Sequence, residues 1–454
     1  MKTLDELIDG APIGRVHHKI LAIGLLIMFI EGIDIQIIGF VAPAIIRAWA
    51  LPPAEFGIIF SAGLLGATIG AAVLGPFGDR IGRKPLIVAA TIVFALGTLA
   101  TPLSSNVTEL VVIRFLASIG LGGVIPNMLA LVAEYSPARV RASFVATVAT
   151  AQLAGGMVGG IASGWAIGIF GWHPIFYVAG AASLVMVPVV LFTLPESLRF
   201  LSQRERYRDR VIKGLRELRK DLPDVSLAEE DMVTRPPTPV TALLARDVRT
   251  TTLLIWLAIA ANLFMTAFVI YWLPTLLERL GMPLSQAILA VSLLNFAGIV
   301  GGLFVARMLD VRPPLKVLIA VYGLAALSVG CIGFIAPATV GVMIIVFLTG
   351  FFGLGAYAGI NVMAATVYPT HLRSAGIGWA IALGKVGSIL GPMAATAGLA
   401  GGVPLQGVFL ISATGGIVAA AALALLQVLR RRDSVRAQAI AAAGAGSVGG
   451  AVRP

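Results

Sequence analysis

Two acidic residues lie in the middle of the first long apolar segment of the chain. Glu31 and Asp34 both fall within residues 20–46. A charged side chain at the centre of a bilayer costs about 2.5–3.5 kcal/mol on insertion scales, so such residues persist where they face a protein interior or a water-filled cavity. The pair therefore predicts a route for a proton, a cation or a charged solute.

Two basic residues lie at a similar depth. With a rise of about 1.5 Å per residue, Asp34 and Glu31 lie roughly 21 and 17 Å from the edge at which their segment begins. Lys385 lies roughly 17 Å from the same edge, and Arg114 roughly 22 Å, in an apolar layer about 30 Å thick. Two acids and two bases at one level can neutralise one another in a shared cavity. Each acid could instead form a structural ion pair, and Arg114 could serve as a latch to a carbonyl or an acid.

The composition indicates an integral, all-α membrane protein. Hydrophobic residues make up 58% of the chain, charged residues 12%, and the mean hydropathy is +0.96. An ordinary soluble domain carries about 25% charged residues, and a spanning helix needs about 20 apolar ones. Twelve spans are predicted, at residues 20–46, 55–75, 86–103, 109–134, 143–170, 174–194, 250–278, 285–306, 317–336, 339–367, 374–400 and 403–429.

The net charge of +11 follows from the location of the basic residues. If the N-terminus is cytoplasmic, 29 of the 33 Lys and Arg lie in tails and loops on that side. Basic residues accumulate in this way on the cytoplasmic side of membranes, which argues against nucleic-acid binding and places both termini in the cytoplasm.

The single cysteine, Cys331, excludes a disulfide within the chain. No spacing indicates a metal site, a cofactor, a phosphate loop or catalytic residues, and the first span is too polar at its centre for a signal peptide.

The chain divides into two halves that echo each other. Residues 1–194 and 250–429 each hold six predicted spans, separated by a polar central loop at 195–249 that reads as an amphipathic helix and a Pro-rich linker. Gly155 and Gly159 of span 5 recur 232 residues later as Gly387 and Gly391 of span 11. Parallel six-helix repeats around a midplane site are the plan of many secondary carriers. Residues 430–454 form a cytoplasmic tail, whose Gly/Ala-rich end from residue 441 is expected to be disordered.

A loop motif follows span 2. The segment Gly75-Pro-Phe-Gly-Asp79-Arg80-Ile-Gly82-Arg83-Lys84 resembles the G-x-x-x-D-R-x-G-R-K motif of the major facilitator superfamily at every fixed position. Span 4 carries a similar R-x-x-x-x-x-G-x-G pattern from Arg114, and span 6 ends in Pro195-Glu-Ser-Leu-Arg199. The resemblance implies twelve helices in two pseudo-symmetric halves. Asp79 is expected to latch the cytoplasmic ends by meeting an Arg or a helix N-terminus of the other half. The gating residues are then Asp79, Arg80, Arg83, Glu134, Arg141 and Arg373, with Glu134 close to Arg139 and Arg141.

A motif in the first span indicates one family within that superfamily. Glu31-Gly-Ile-Asp34, followed by Gln36 and Gly39, looks like the first-helix motif of the aromatic acid:H⁺ symporter family. The likeness covers about 20–200 and 250–400, and implies proton-coupled uptake of an aromatic carboxylate such as a hydroxybenzoate or hydroxyphenylpropionate. The family's usual motif begins with Asp rather than Glu. Relatives also commonly have Arg where this chain has Lys385, a point charge without the bidentate fork.

The shared depth of the four charged residues suggests a role for each as a hypothesis. Asp34 carries the proton, Glu31 assists or gates, and Lys385 with Arg114 attracts the substrate carboxylate. Four residues of spans 7 and 10 could stack on or hydrogen-bond the aromatic ring, or could be ordinary packing residues. They are Tyr271, Trp272, Tyr357 and Asn361.

The expected setting is a multi-pass protein of the bacterial inner membrane that acts as a monomer in the lipid bilayer. Three other functions stay open. One is import of another small organic anion or a sugar. Another is proton-driven drug export, although span 5 lacks the proline of the exporters' G-x-x-x-G-P motif. The last is a membrane receptor that uses the central loop as its output.

Overall fold

The computed structural model describes residues 3–219, 240–245, 248–335, 337–368 and 372–448. The side chains of 205, 361, 362, 364–366, 373, 374 and 433–448 lie outside that description. Within these residues, twelve helices are long and apolar enough to cross a membrane, and each corresponds to one predicted span. Spans 1 to 12 are Arg15–Ala48, Pro53–Ile81, Arg83–Leu103, Val107–Tyr135, Ala138–Phe170, His173–Thr193, Arg249–Arg279, Leu284–Val311, Pro314–Ile335, Thr339–Ile360, Ala375–Ala400 and Leu405–Arg432.

Because the number of spans is even, both ends of the chain lie on one side of the bundle, here called the terminal face. The other side is called the opposite face. Near the terminal face, short helices at Leu4–Asp9 and Leu198–Ser202 accompany the central-loop helix Arg208–Leu218. That helix buries Val211, Leu215 and Leu218 on one side, as the predicted amphipathic pattern requires. The Pro-rich linker at 235–239 lies outside the described residues.

The last helix is longer than the sequence analysis expects. It begins at Leu405 and continues without a break through Val448, so the disorder expected from residue 441 is wrong as far as residue 448. The physical reason is the high helix propensity of alanine, which is abundant in this segment and outweighs the composition argument for disorder.

Within each half, equivalent pairs of helices pack so closely that their backbones are in contact. A Cβ atom on Gly155 of span 5 would lie 1.9 Å from the carbonyl oxygen of Phe29 in span 1. A Cβ on Gly387 of span 11 would lie at the same distance from the carbonyl oxygen of Ala260 in span 7. Only glycine permits either approach, and small residues are the usual means by which membrane helices come this close. The glycines aligned by the sequence repeat therefore have the same packing role in the two halves.

Among the described residues, the main contacts between the two halves are those of span 1 with 7, span 2 with 11, and span 5 with 8. A shared apolar cluster joins them toward the opposite face, with Phe60 and Phe176 from one half and Trp272 and Leu276 from the other. An ion pair between Arg47 and Glu278 closes that face.

Toward the terminal face, each half has its own apolar cluster instead. Among the described side chains, no hydrogen bond or ion pair joins the halves there. The bundle is thus closed at the opposite face and separated at the terminal face.

Candidate functional site

The centre of the site is a buried ion pair in the first half. Asp34 of span 1 and Arg114 of span 4 are 1% and 4% exposed. The Arg114 guanidinium donates to the Asp34 carboxylate, with Nη2 3.0 Å from Oδ2 and Nη1 3.5 Å from Oδ1. It also donates to the Asp34 carbonyl oxygen at 3.4 Å. The Thr98 hydroxyl of span 3 donates to Asp34 Oδ1 at 2.8 Å. Three spans therefore hold this carboxylate, and the sequence analysis did not identify Thr98.

Glu31 lies one helical turn before Asp34 and has a different environment. It is 2% exposed, and neither carboxylate oxygen has a hydrogen-bond partner among the described residues. Burying an ionised carboxylate without a partner is costly, and such a group is usually held as the neutral acid. Two acids three residues apart therefore differ: one belongs to an ion pair, and the other is buried alone.

Aromatic side chains surround the ion pair. The Phe176 ring of span 6 lies 5.8 Å from the Arg114 guanidinium carbon, within the range of a cation–π contact. Tyr271 of span 7 is buried, and its ring lies 5.2 Å from that of Phe60 in span 2. Trp272 is fully buried, lies 5.4 Å from Phe60, and donates its indole N–H to the Pro392 carbonyl oxygen at 3.1 Å. Of the two predicted ring contacts in span 7, Trp272 thus has a packing and hydrogen-bonding role in this state.

Lys385 is the half-buried cation of the second half. Among the described side chains, no carboxylate lies within ion-pair distance of its ammonium group. Span 11 positions it by packing on span 7, where Gly384 meets Ile259 and Leu263. Of the two mid-depth cations, Arg114 of the first half is therefore neutralised, and Lys385 of the second half has no counter-charge among the described side chains.

Two other predicted ring contacts lie in span 10. Tyr357 is half-buried at the edge of an apolar cluster of the second half that includes Leu318 and Tyr322. The side chain of Asn361 lies outside the described residues. Just before Tyr357, span 10 contains a π-helical turn at Gly350–Leu354, a distortion that is frequent at functional sites.

A pair of amides joins the halves at mid-depth. The Gln36 Nε2 atom donates to Asn295 Oδ1 at 3.0 Å, and Asn295 Nδ2 donates back to Gln36 Oε1 at 2.8 Å. Both residues are buried, and they belong to spans 1 and 8. The sequence analysis used Gln36 only as part of a motif, although a buried polar residue two positions from Asp34 was the signal that could have identified it.

The gating residues near the terminal face form a network within the first half. Arg83 pairs with Asp79 at 3.0 Å and with Glu134 at 2.7 Å. The Ser197 hydroxyl donates to Glu134 at 2.5 Å, and Glu196 accepts from the backbone N–H groups of Arg83 and Lys84 at 2.8 and 3.2 Å. The loop motif and the Pro-Glu-Ser motif are therefore parts of one cluster.

Two pairings expected from the sequence are absent from the described contacts of this state. Asp79 contacts its neighbour Arg83 rather than the other half, because the halves are separated at this face. Glu134 contacts Arg83 rather than Arg139 or Arg141, because both of those arginines bond to the N-terminal segment. Arg141 pairs with Asp9 at 2.8 Å, and Arg139 donates to the Ala11 carbonyl oxygen at 3.1 Å.

The two remaining gating candidates are Arg80 and Arg373. Arg80 is exposed, with its guanidinium 5.9 Å from the Phe77 ring. The Arg373 side chain lies outside the described residues.

Comparisons with known proteins agree on the family. The model of the Major Facilitator Superfamily matches residues 24–392. A gallate transporter of Pseudomonas putida is 33% identical over 93% of this chain and 94% of its own length. A 4-hydroxybenzoate transporter of Pseudomonas aeruginosa is 33% identical over 86% of this chain and 87% of its own. A 3-(3-hydroxy-phenyl)propionate transporter of Escherichia coli is 30% identical over 93% and 97%.

Solved structures show the same fold at lower identity. The D-xylose-proton symporter superimposes with a TM-score of 0.67 at 16% identity, covering 89% of this chain and 97% of its own. A bacterial homologue of the lysosomal transporter Spinster, in an inward-facing conformation, also gives 0.67 at 15% identity, covering 91% and 97%. The chain belongs to the major facilitator superfamily, in the branch that contains these aromatic acid transporters.

Proposed function

We propose that this protein is a proton-coupled importer of an aromatic carboxylate, working by alternating access in the bacterial inner membrane. The similar transporters named for gallate, 4-hydroxybenzoate and 3-(3-hydroxy-phenyl)propionate support the substrate class. The excess of Lys and Arg on the terminal face supports its placement in the cytoplasm. In that orientation the bundle is open to the cytoplasm and closed to the outside.

The observation that carries the proposal is the buried Asp34–Arg114 pair beside the unpartnered Glu31. An ion pair with this burial is maintained only while both groups are charged, because removing one charge leaves the other without compensation. Protonation of Asp34 therefore releases the Arg114 guanidinium. A released guanidinium can then form charge-assisted hydrogen bonds with a carboxylate from outside the protein.

Substrate and proton binding are coupled through that exchange of partners. With Asp34 protonated, Arg114 and Lys385 hold the substrate carboxylate while Phe176, Tyr271 and Phe60 contact its ring. When Asp34 loses its proton, it re-forms the pair with Arg114 and displaces the substrate. The contacts described above correspond to the carrier after release on the cytoplasmic side.

Glu31 provides the path for the proton. It lies three residues nearer the terminal face than Asp34, which is about 4.5 Å along a helix. Held as the neutral acid, it can release its own proton toward the cytoplasm and then take up the proton that Asp34 gives up. One proton moving with one monoanion carries no net charge, so uptake follows the pH gradient, whereas a second proton would add about 2.3 kcal/mol per 100 mV.

Uptake into proteoliposomes tests the proposal. Labelled 4-hydroxybenzoate, gallate and 3-(3-hydroxyphenyl)propionate are offered with and without an inward proton gradient, with the membrane potential clamped by potassium and valinomycin. We expect accumulation of at least one acid that depends on the gradient and disappears with a protonophore. Equal uptake with and without the gradient would reject proton coupling. No uptake of any of the three acids would reject the substrate class, and organic anions, sugars and drugs would then be compared.

A further inference from the structure

A large apolar groove lies on the outer surface of the second half, away from the ion-pair site. It has a volume of about 680 Å³ and runs between spans 9 and 12. Small residues form much of its wall: Gly323, Ala326, Gly330, Ala413, Ala420 and Ala424. A Cβ added to Gly323 would meet nothing within 4 Å, so the groove is open at that position. Its volume lies in the range of ligand-sized sites, and its wall offers almost only hydrocarbon.

Basic side chains lie at the terminal-face end of this groove. Lys316 lies seven residues before Gly323 on span 9, and Arg431 lies seven residues after Ala424 on span 12. Seven residues are about two helical turns, so each cation projects from the same side of its helix as the groove wall. The two spans are antiparallel, with Gly416 against Ala326 and Gly333 against Gln406 and Phe409, so both cations are at one end. Both side chains are exposed.

We propose that this groove binds an anionic phospholipid, with an acyl chain between spans 9 and 12 and the phosphate between Lys316 and Arg431. An acyl chain fits the hydrocarbon wall, and a phosphate forms charge-assisted hydrogen bonds with Lys and Arg. Basic pockets between spans on the cytoplasmic side are typical sites for anionic headgroups. The site therefore has both parts that such a lipid requires, an apolar groove and a cationic end.

Charge also argues against a second copy of this chain as the occupant. A twofold contact across the groove brings the same surface of each copy together, so Lys316 and Arg431 of both copies would lie at one edge of the interface. Like charges placed together disfavour such an association. An anionic lipid neutralises this end of the groove instead.

Native mass spectrometry of the purified protein tests the proposal. The protein is exchanged into equal amounts of phosphatidylglycerol and phosphatidylcholine with identical acyl chains, and the lipid that stays bound is counted. We expect phosphatidylglycerol to be retained about 30-fold more than phosphatidylcholine, since each of the two cations near the membrane surface contributes about 1 kcal/mol toward an anionic lipid.

Three variants distinguish the two parts of the site. The double variant Lys316→Gln/Arg431→Gln should lose the preference for phosphatidylglycerol. The control Arg307→Gln/Arg430→Gln removes the same charge near the same face but should keep it, because Arg430 lies about 100° around span 12 from Arg431, away from the groove. Gly323→Leu fills the groove without meeting a neighbour and should reduce retention of both lipids.

Three outcomes would overturn the proposal: equal retention of the two lipids by the wild type, an unchanged preference in Lys316→Gln/Arg431→Gln, or a dimer that Gly323→Leu dissociates. The last outcome would assign the groove to a contact between copies.

Discussion

The two halves share their helix packing but differ in their charges at mid-depth. The contact of Gly155 with Phe29 in the first half matches that of Gly387 with Ala260 in the second. Counting from these contacts, the position of Asp34, five residues after Phe29, is occupied in the second half by Met265. The position of Glu31, two residues after Phe29, is occupied by Asn262.

For the basic residue of span 11, the charge lies in the second half and the equivalent position of the first half is uncharged. Lys385 lies two residues before Gly387, and the residue two before Gly155 is Leu153. The repeat therefore preserves the glycines that permit close packing, while each half has its own charged residues. The first half has the groups that can exchange a proton, and the second half has a cation without a counter-charge. In the proposed mechanism coupling requires both halves, because neither contains the complete set of groups.

The largest effect is expected from removing the acid that the second half lacks. Asp34→Asn should abolish accumulation driven by a proton gradient, because the amide cannot bind and release a proton. Exchange of labelled for unlabelled substrate without a gradient should persist, since it needs no net proton movement. Thr98→Val serves as the control, because it removes only one hydrogen bond to Asp34 and should reduce accumulation without abolishing it. Full accumulation by Asp34→Asn would contradict the role of Asp34 and the comparison of the halves.

Removing the cation of the second half should weaken substrate binding next. A hydrogen bond to a charged group contributes about 1.5–3 kcal/mol, so Lys385→Gln should raise KM for the aromatic acid by about 10- to 150-fold. Lys385→Arg keeps the charge and should stay within a few-fold of the wild type. The measurement is the concentration dependence of initial uptake at a fixed proton gradient. An unchanged KM in Lys385→Gln would leave Arg114 as the sole cationic ligand.

A smaller effect is expected at the acid without a partner. Glu31→Gln keeps the shape of a neutral carboxyl group, and no hydrogen bond of Glu31 in this state is lost. Substrate affinity should therefore be unchanged, while the maximal rate of proton-driven uptake should fall about tenfold or more, as for loss of a proton-transfer group. A higher KM with an unchanged maximal rate would assign Glu31 to substrate binding rather than to the proton path.

The sequence was sufficient for the fold because its strongest signal is local. Apolar segments of about 20 residues determine the spans without any tertiary information. The helix rise per residue also predicted that Asp34 and Arg114 lie at a similar depth. The sequence could not identify their direct pairing, since helix rotation decides which residues at that level meet.

At the terminal face, the sequence could not predict the partners of the gating residues, because these depend on the conformation. Glu134 pairs with Arg83, 51 residues away, and not with the nearby Arg141, because Asp9 of the N-terminal segment neutralises Arg141. The proposed latch of Asp79 to the other half would require a state in which that face is closed, whereas the halves are separated there in this structure. A motif alone does not specify which of its alternating contacts a given state contains.

The smallest effect is expected where the halves meet through Gln36 and Asn295. Gln36→Leu leaves the buried Asn295 amide without its partner and should destabilise the closed opposite face by about 1–3 kcal/mol. Gln36→Leu/Asn295→Leu removes both polar groups and should be closer to the wild type, because replacing both partners by apolar groups is nearly neutral. The measurement is the distance distribution between spin labels at the opposite-face ends of spans 1 and 7, in a Cys331→Ser background. The single variant should populate longer distances than the double variant does. Equal distributions in the two variants would mean that the amide pair does not bias the equilibrium between the two access states, and the contacts between the apolar surfaces of the halves would then be sufficient to close this face.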